Sequence, residues 1–170
     1  MAEVQQMLPK DFIQTYIIRD LDLVVKVAPY LSFALMALSI EFLGKCLNED
    51  EDDFHEKEQD NYKDFERAIN GLNSFIDYRA IATRAFLQNS LRNGMIHSML
   101  PRKTSQWSIG FDSGKCKPHE LDVKNKNVVL QCEQLYKDIK NAANEIITRI
   151  DNKEFKLTGK MYQVALRVTP

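Results

Sequence analysis

The stretch from Tyr30 to Leu47 most constrains the fold. It is apolar nearly all round, with Leu31, Phe33, Leu35, Met36, Leu38, Ile40, Phe42, Leu43 and Leu47 spread over every face of a helical wheel. A helix of that character belongs at the centre of a bundle, because no polar stripe is left to face water. Pro29 precedes it and suits a first helical turn. The longest uncharged run, Val27 to Ile40, is too short for a typical membrane span, so the segment reads as a buried core helix.

The flanking segments supply partners. Lys10 to Ala28 is apolar at Ile13, Tyr16, Ile17, Leu21, Val24 and Ala28, a three-four spacing that predicts an amphipathic helix. Tyr62 to Ile69 predicts a short helix, with Asp60 or Asn61 as its N-cap and Gly71 as its end or bend. Phe75 to about Met99 predicts a longer one, weakened at Asn93-Gly94 and closed by Pro101. Cys132 to Ile150 carries Leu135, Tyr136, Ile139, Ala142, Ala143, Ile146, Ile147 and Ile150 on one stripe.

Between the last two helices the pattern changes. Gln106 to Phe111 alternates polar and apolar side chains, and Asp112-Ser113-Gly114 is turn chemistry. Leu121-Asp122-Val123 and Val128-Val129-Leu130 flank a polar run, which predicts a small β-hairpin or ribbon. The alternating tail around Met161 to Val168 suits an edge strand or a docking arm. The expectation is a single mainly α domain over 1–170: a helical core at about 10–100 and 131–151, a β-ribbon at about 106–130 and a tail at 152–170.

The chain has 170 residues and a formal net charge of -1. That excludes a whole-surface nucleic-acid binder, since phosphate neutralisation needs a basic protein, and leaves only a local patch. Cys46, Cys116 and Cys132 are odd in number and form no C-x-x-C pair, which fits a reducing compartment better than a disulfide frame or zinc site. No secretion signal is visible, so a cytoplasmic, membrane-free protein is expected. Asn48 to Glu58 carries seven acids and reads as a solvated loop, with His55 exposed within it. It lacks the spacing and glycine of a calcium loop, and no metal or cofactor is expected.

One local asymmetry points to chemistry. From Tyr78 through Phe111 there is no Asp or Glu, while Arg79, Arg84, Arg92, His97, Arg102 and Lys103 all fall there. Such a segment either binds an anion or is a solvated helix face balanced by the acidic loop. Within it lies Arg92-Asn93-Gly94-Met95-Ile96-His97. On a helix Asn93 and His97 share a face, so the amide can hold one imidazole nitrogen and set the tautomer. Arg92 and His97 lie about 140° apart on an ideal helix, and converge only if it deforms at Asn93-Gly94 or if a partner subunit brings a second copy of the motif.

RNA cleavage without a metal suits such a cleft. A neutral His takes the proton from a ribose 2′-OH or gives one to the leaving 5′-oxygen, and Arg stabilises the charge that builds on the phosphate. Glu41, the lone acid of the apolar helix, either pairs with an Arg or Lys at the core edge or meets this cationic motif. Candidate catalytic residues are Arg92, His97 and Asn93; candidate substrate-contacting residues are Arg84, Arg102, Lys103 and Glu41. Trp107 is either a core-closing residue or a base-stacking platform, and His119, after Pro118, reads as a loop residue.

The signature of an Arg followed directly by Asn, Asp or His, with four to six residues between that Arg and a later His, is similar to that of the HEPN superfamily. The apolar segment Leu35-Met36-Ala37-Leu38-Ser39-Ile40-Glu41-Phe42-Leu43-Gly44 resembles the central helix of bacterial members. The resemblance implies an α-helical bundle, often a homodimer with the motif at the subunit interface. In active members it implies a metal-independent endoribonuclease of toxin–antitoxin, phage-defence or RNA-processing systems, with Arg92 and His97 catalytic and Asn93 supporting. Other members with this fold are not nucleases, and for those the expectation is a module that binds RNA, a nucleotide or a protein such as an antitoxin, or a structural helical dimer.

Overall fold

The computed structural model describes residues 4–48, 61–81, 87–101, 108–115, 117–122, 124–154 and 161–164. The acidic run of residues 49–58 lies outside them, as do Arg84, Arg102, Lys103, Trp107 and Cys116.

The chain is mainly helical. Strand β1 (Val4–Met7) leads into helix α1 (Pro9–Phe12), a π-helical segment (Ile13–Asp20) and α2 (Leu21–Val27), which follow one another without a break. This is the first amphipathic stretch expected from the sequence, with Ile13, Ile17, Leu21 and Val25 facing inward. Its middle is wound to the wider π pitch, and Leu21 N–H bonds the Tyr16 carbonyl five residues back. Tyr136 donates its hydroxyl to the Ile18 carbonyl at 2.8 Å, so the widened segment offers an acceptor sideways to another helix.

Pro29 opens α3 (Pro29–Cys46) at its first position, as its fixed φ favours. Phe33, Met36, Ala37, Ile40, Leu43 and Cys46 of α3 are in the core. The all-round apolar pattern nevertheless does not give burial all round: Leu31, Leu35 and Leu38 are 46%, 43% and 39% exposed. One side of the central helix therefore faces solvent among the described residues. On its other side α3 lies backbone to backbone with α4 (Asn61–Gly71). A Cβ placed on Gly44 would stand 1.7 Å from the Asp64 carbonyl oxygen, a separation only glycine permits. Arg67 clamps the same crossing, donating to the Gly44 carbonyl at 3.3 Å while paired with the buried Asp64.

After α4 a short 3-10 turn (Asn73–Phe75) runs into α5 (Ile76–Ile81). The helical path resumes with a second π-helical segment (Gln88–Asn93) and α6 (Gly94–Ser98). Met99, in the left-handed region at φ 55°, stops α6, and Tyr30 of α3 donates to its carbonyl at 2.8 Å. The last long helix, α7 (Cys132–Asp151), buries the stripe Leu135, Tyr136, Ile139, Ala142, Ala143 and Ile146 against the bundle.

The β-ribbon is a three-stranded sheet of order β2-β4-β3, built from β2 (Ser108–Asp112), β3 (Glu120–Asp122) and β4 (Asn127–Gln131). The expected hairpin is present as β3 and β4, which pair antiparallel with Leu121 opposite Val128. The correction concerns β2, which joins β4 in parallel, Ile109 opposite Val128, and so makes the sheet mixed. Phe111 of β2 stacks on Phe33 of α3, ring centroids 4.1 Å apart, and this fixes the sheet to the bundle. The tail contains strand β5 (Met161–Val164), an edge strand whose antiparallel partner is β1.

Candidate functional site

The motif straddles the junction between the second π-helical segment and α6. Arg92 and Asn93 end the π-wound part, and Gly94 begins the α-wound part. Gly94 N–H reaches the Asn89 carbonyl, five residues back, as well as that of Leu91. The helix therefore changes pitch at Asn93-Gly94, but this does not make Arg92 and His97 converge.

The two key side chains part company there. Arg92 turns inward to α3 and donates its Nε–H to Glu41 Oε2 at 2.9 Å, both side chains being 15% exposed. Its Nη1 donates to Asn93 Oδ1 at 3.1 Å, and Asn93 Nδ2 donates to Asn89 Oδ1 at 2.9 Å. Glu41, Arg92, Asn93 and Asn89 thus form one chain of polar contacts that fixes the guanidinium plane. His97, one turn on, is exposed. The expectation that Asn93 holds the His97 imidazole is corrected: its amide is engaged by Arg92 and Asn89 instead.

Glu41 pairs with Arg92 at the core edge, a contact that fits both readings of this residue. Burial lifts its carboxyl above the ordinary range, and Arg92 draws it part of the way back. Glu41 also lines a groove of about 460 Å³ between residues 12–24 and α3, walled by Phe12, Tyr16, Val24, Leu35, Leu38 and Phe42. Arg92, Asn93 and His97 do not line it. This apolar recess and the polar motif therefore share Glu41 and otherwise lie apart.

The cationic segment is less available than its sequence suggests. Arg79 donates from Nε to the Ile69 carbonyl at 3.0 Å and from Nη2 to the Leu72 carbonyl at 3.1 Å, which closes the C-terminal end of α4. Arg84, Arg102 and Lys103 fall outside the described residues. Among the described residues no group of three or more His, Cys, Asp or Glu is placed to hold a metal ion, and no helix is long and apolar enough to cross a membrane.

Residues that carried no signal in the sequence gather elsewhere. Tyr78 of α5, 2% exposed, lies 2.6 Å from His119 Nε2 and donates to Asp138 Oδ2 of α7 at 2.7 Å. Gln131 N–H donates to His119 Nδ1 at 2.8 Å. His119 does precede β3 in an irregular segment, but its side chain is 11% exposed and wholly engaged. Pro118 and a lack of periodicity hid that role. The Asp138 and Tyr78 positions on helical faces were the only available hint.

Comparison with family models, with curated proteins and with solved structures gives no match.

Proposed function

We propose that the Arg92–His97 segment is the active site of a metal-independent endoribonuclease of HEPN type, working as a homodimer in which two copies of the motif face one RNA strand. The observation that carries this reading is an Arg92 held in one orientation, followed five residues on by an exposed His97. Glu41 and Asn93, the latter braced by Asn89, hold the guanidinium in one orientation, and a guanidinium so fixed stabilises charge on a phosphate that reaches it without reorganising. His97, at the open end of the same helix, is accessible to a ribose hydroxyl. Ile96, Met99 and Leu100, exposed beside it, are the apolar rim that a two-fold pairing would cover.

The chemistry is self-contained. The imidazole takes the 2′-OH proton, the 2′-oxygen attacks the adjacent phosphorus, the 5′-oxygen leaves with a proton from an imidazolium, and a 2′,3′-cyclic phosphate remains. The test is cleavage of a mixed single-stranded RNA pool in chelator by wild type, His97→Ala and Arg92→Ala, with sedimentation of each. Loss of cyclic-phosphate ends in both variants, at unchanged sedimentation, supports the proposal. Undiminished cleavage by His97→Ala removes it.

A second reading has its own observation. Arg92 is ion-paired within its own fold and half-buried, which suits a binding or scaffolding module better than a site whose Arg must reach substrate. In that case no RNA is cut by wild type, and RNA, nucleotide or protein binding, where present, survives His97→Ala.

A further inference from the structure

We propose that His119 is an acid-released latch that holds the small sheet to the helical bundle. The polarity of its hydrogen bonds makes it so. Gln131 N–H can only donate, and it meets Nδ1 at 2.8 Å, so Nδ1 carries no proton. The neutral ring then bears its proton on Nε2, which donates to the Tyr78 hydroxyl oxygen at 2.6 Å. Tyr78 in turn passes its own O–H to Asp138 Oδ2 at 2.7 Å, and Gln134 Nε2 donates to Asp138 Oδ1 at 2.8 Å. Every donor in the chain has one acceptor and the direction runs one way, from β4 through His119 and α5 to α7.

A second ring proton has one place to go. It must sit on Nδ1, where it would face the Gln131 N–H, donor against donor. Protonation is therefore incompatible with the contact that ties residue 119 to the end of β4, where α7 begins. The groups facing the ring are Tyr78 and Asp77 from α5 and Asp138 from α7, while β4 contributes the uncharged Gln131. The two carboxylates favour a charged ring, but burial opposes it and prevails, so the imidazole stays neutral to lower pH than a free one. A histidine whose folded form resists protonation gives stability above its unfolded pKa and loses it as pH falls through the folded value. Acidification thus frees the 117–119 segment and edge strand β3, while the core of α3 stays closed.

Amide hydrogen exchange of the full chain, normalised to intrinsic rates, tests this at about pH 7.5 and about pH 5. Protection of Gln131 and of Val129, which lies opposite Glu120, should fall about tenfold or more at the lower pH, with Ile40 unchanged. His119→Asn, whose amide oxygen can accept the same N–H, should abolish the pH dependence. Tyr78→Phe removes the hydroxyl between Nε2 and Asp138, whose Oδ2 lies 3.9 Å from the ring nitrogen in the wild type, and should move the onset to higher pH. Equal wild-type protection at both pH values overturns the proposal, as does an unchanged pH response in either variant. Should His119→Asn not fold, ring nitrogen shifts of the wild type decide: a proton on Nδ1 at neutral pH refutes the latch.

Discussion

Arg92 and Glu41, 51 residues apart in the chain, meet through a 2.9 Å hydrogen bond that joins the motif to the central helix. Because both are largely covered, each is the other's compensation for lost water. Glu41→Ala should cost about 2 kcal/mol by leaving a half-buried guanidinium without its acid. Adding Arg92→Ala should recover part of that loss. A double-mutant cycle in urea gives the coupling, and strictly additive losses would mean the pair is idle.

His97 stands outside that network. His97→Ala should change the urea midpoint by no more than about 0.5 kcal/mol equivalent, as expected of an exposed side chain. The same variant therefore separates chemistry from folding: any loss of RNA cleavage is catalytic. A large destabilisation would show that the imidazole packs.

Gly44→Ala should be among the most damaging single changes in the chain. The added methyl meets the Asp64 carbonyl, a backbone atom that cannot rotate away. The helices α3 and α4 must separate, at a cost of about 3 kcal/mol or more. Thermal melting checks this, and an unchanged midpoint would contradict the close crossing.

Arg79→Ala should destabilise by about 1–2 kcal/mol, because two carbonyls at the end of α4 lose their donors. Arg79→Lys should recover little, since one ammonium on a flexible stem cannot reproduce the guanidinium fork. Equal stability of the Lys variant and wild type would overturn that account.

Cys46 and Cys132 are buried, and burial raises both thiols above the ordinary range, that of Cys46 far above it. In a Cys116→Ser background, neither should react with a disulfide reagent at neutral pH until the chain opens. Labelling at the rate of global unfolding is expected, and rapid labelling of Cys46 would show that the contact of α3 with α4 breathes.

The bundle was legible because its helices carry strong period: the stripes of the first and last helices and the turn chemistry at Gly71 and Pro29 are local signals. The hairpin of β3 and β4 was legible for the same reason. The parallel β2–β4 pairing was not, because register between strands with a third strand inserted in the connection is set by docking, here of Phe111 onto Phe33. The π-wound segments left no mark in the sequence, since apolar spacing tolerates one extra residue per turn. At the motif, Arg92, Asn93 and His97 could be found by type and spacing, and Glu41 by its isolation among apolar neighbours. Which way each side chain turns was decided by α3, which draws Arg92 in and leaves His97 out.

The pairing of β1 with β5 places Val4 opposite Val164 and so draws together stretches at opposite ends of the described chain. Closing so long a loop costs entropy that a short ladder repays only once the intervening helices have already brought its strands close. This seam should therefore be the last part of the molecule to zip and the first to part under force or mild denaturant, with the bundle beneath it still intact.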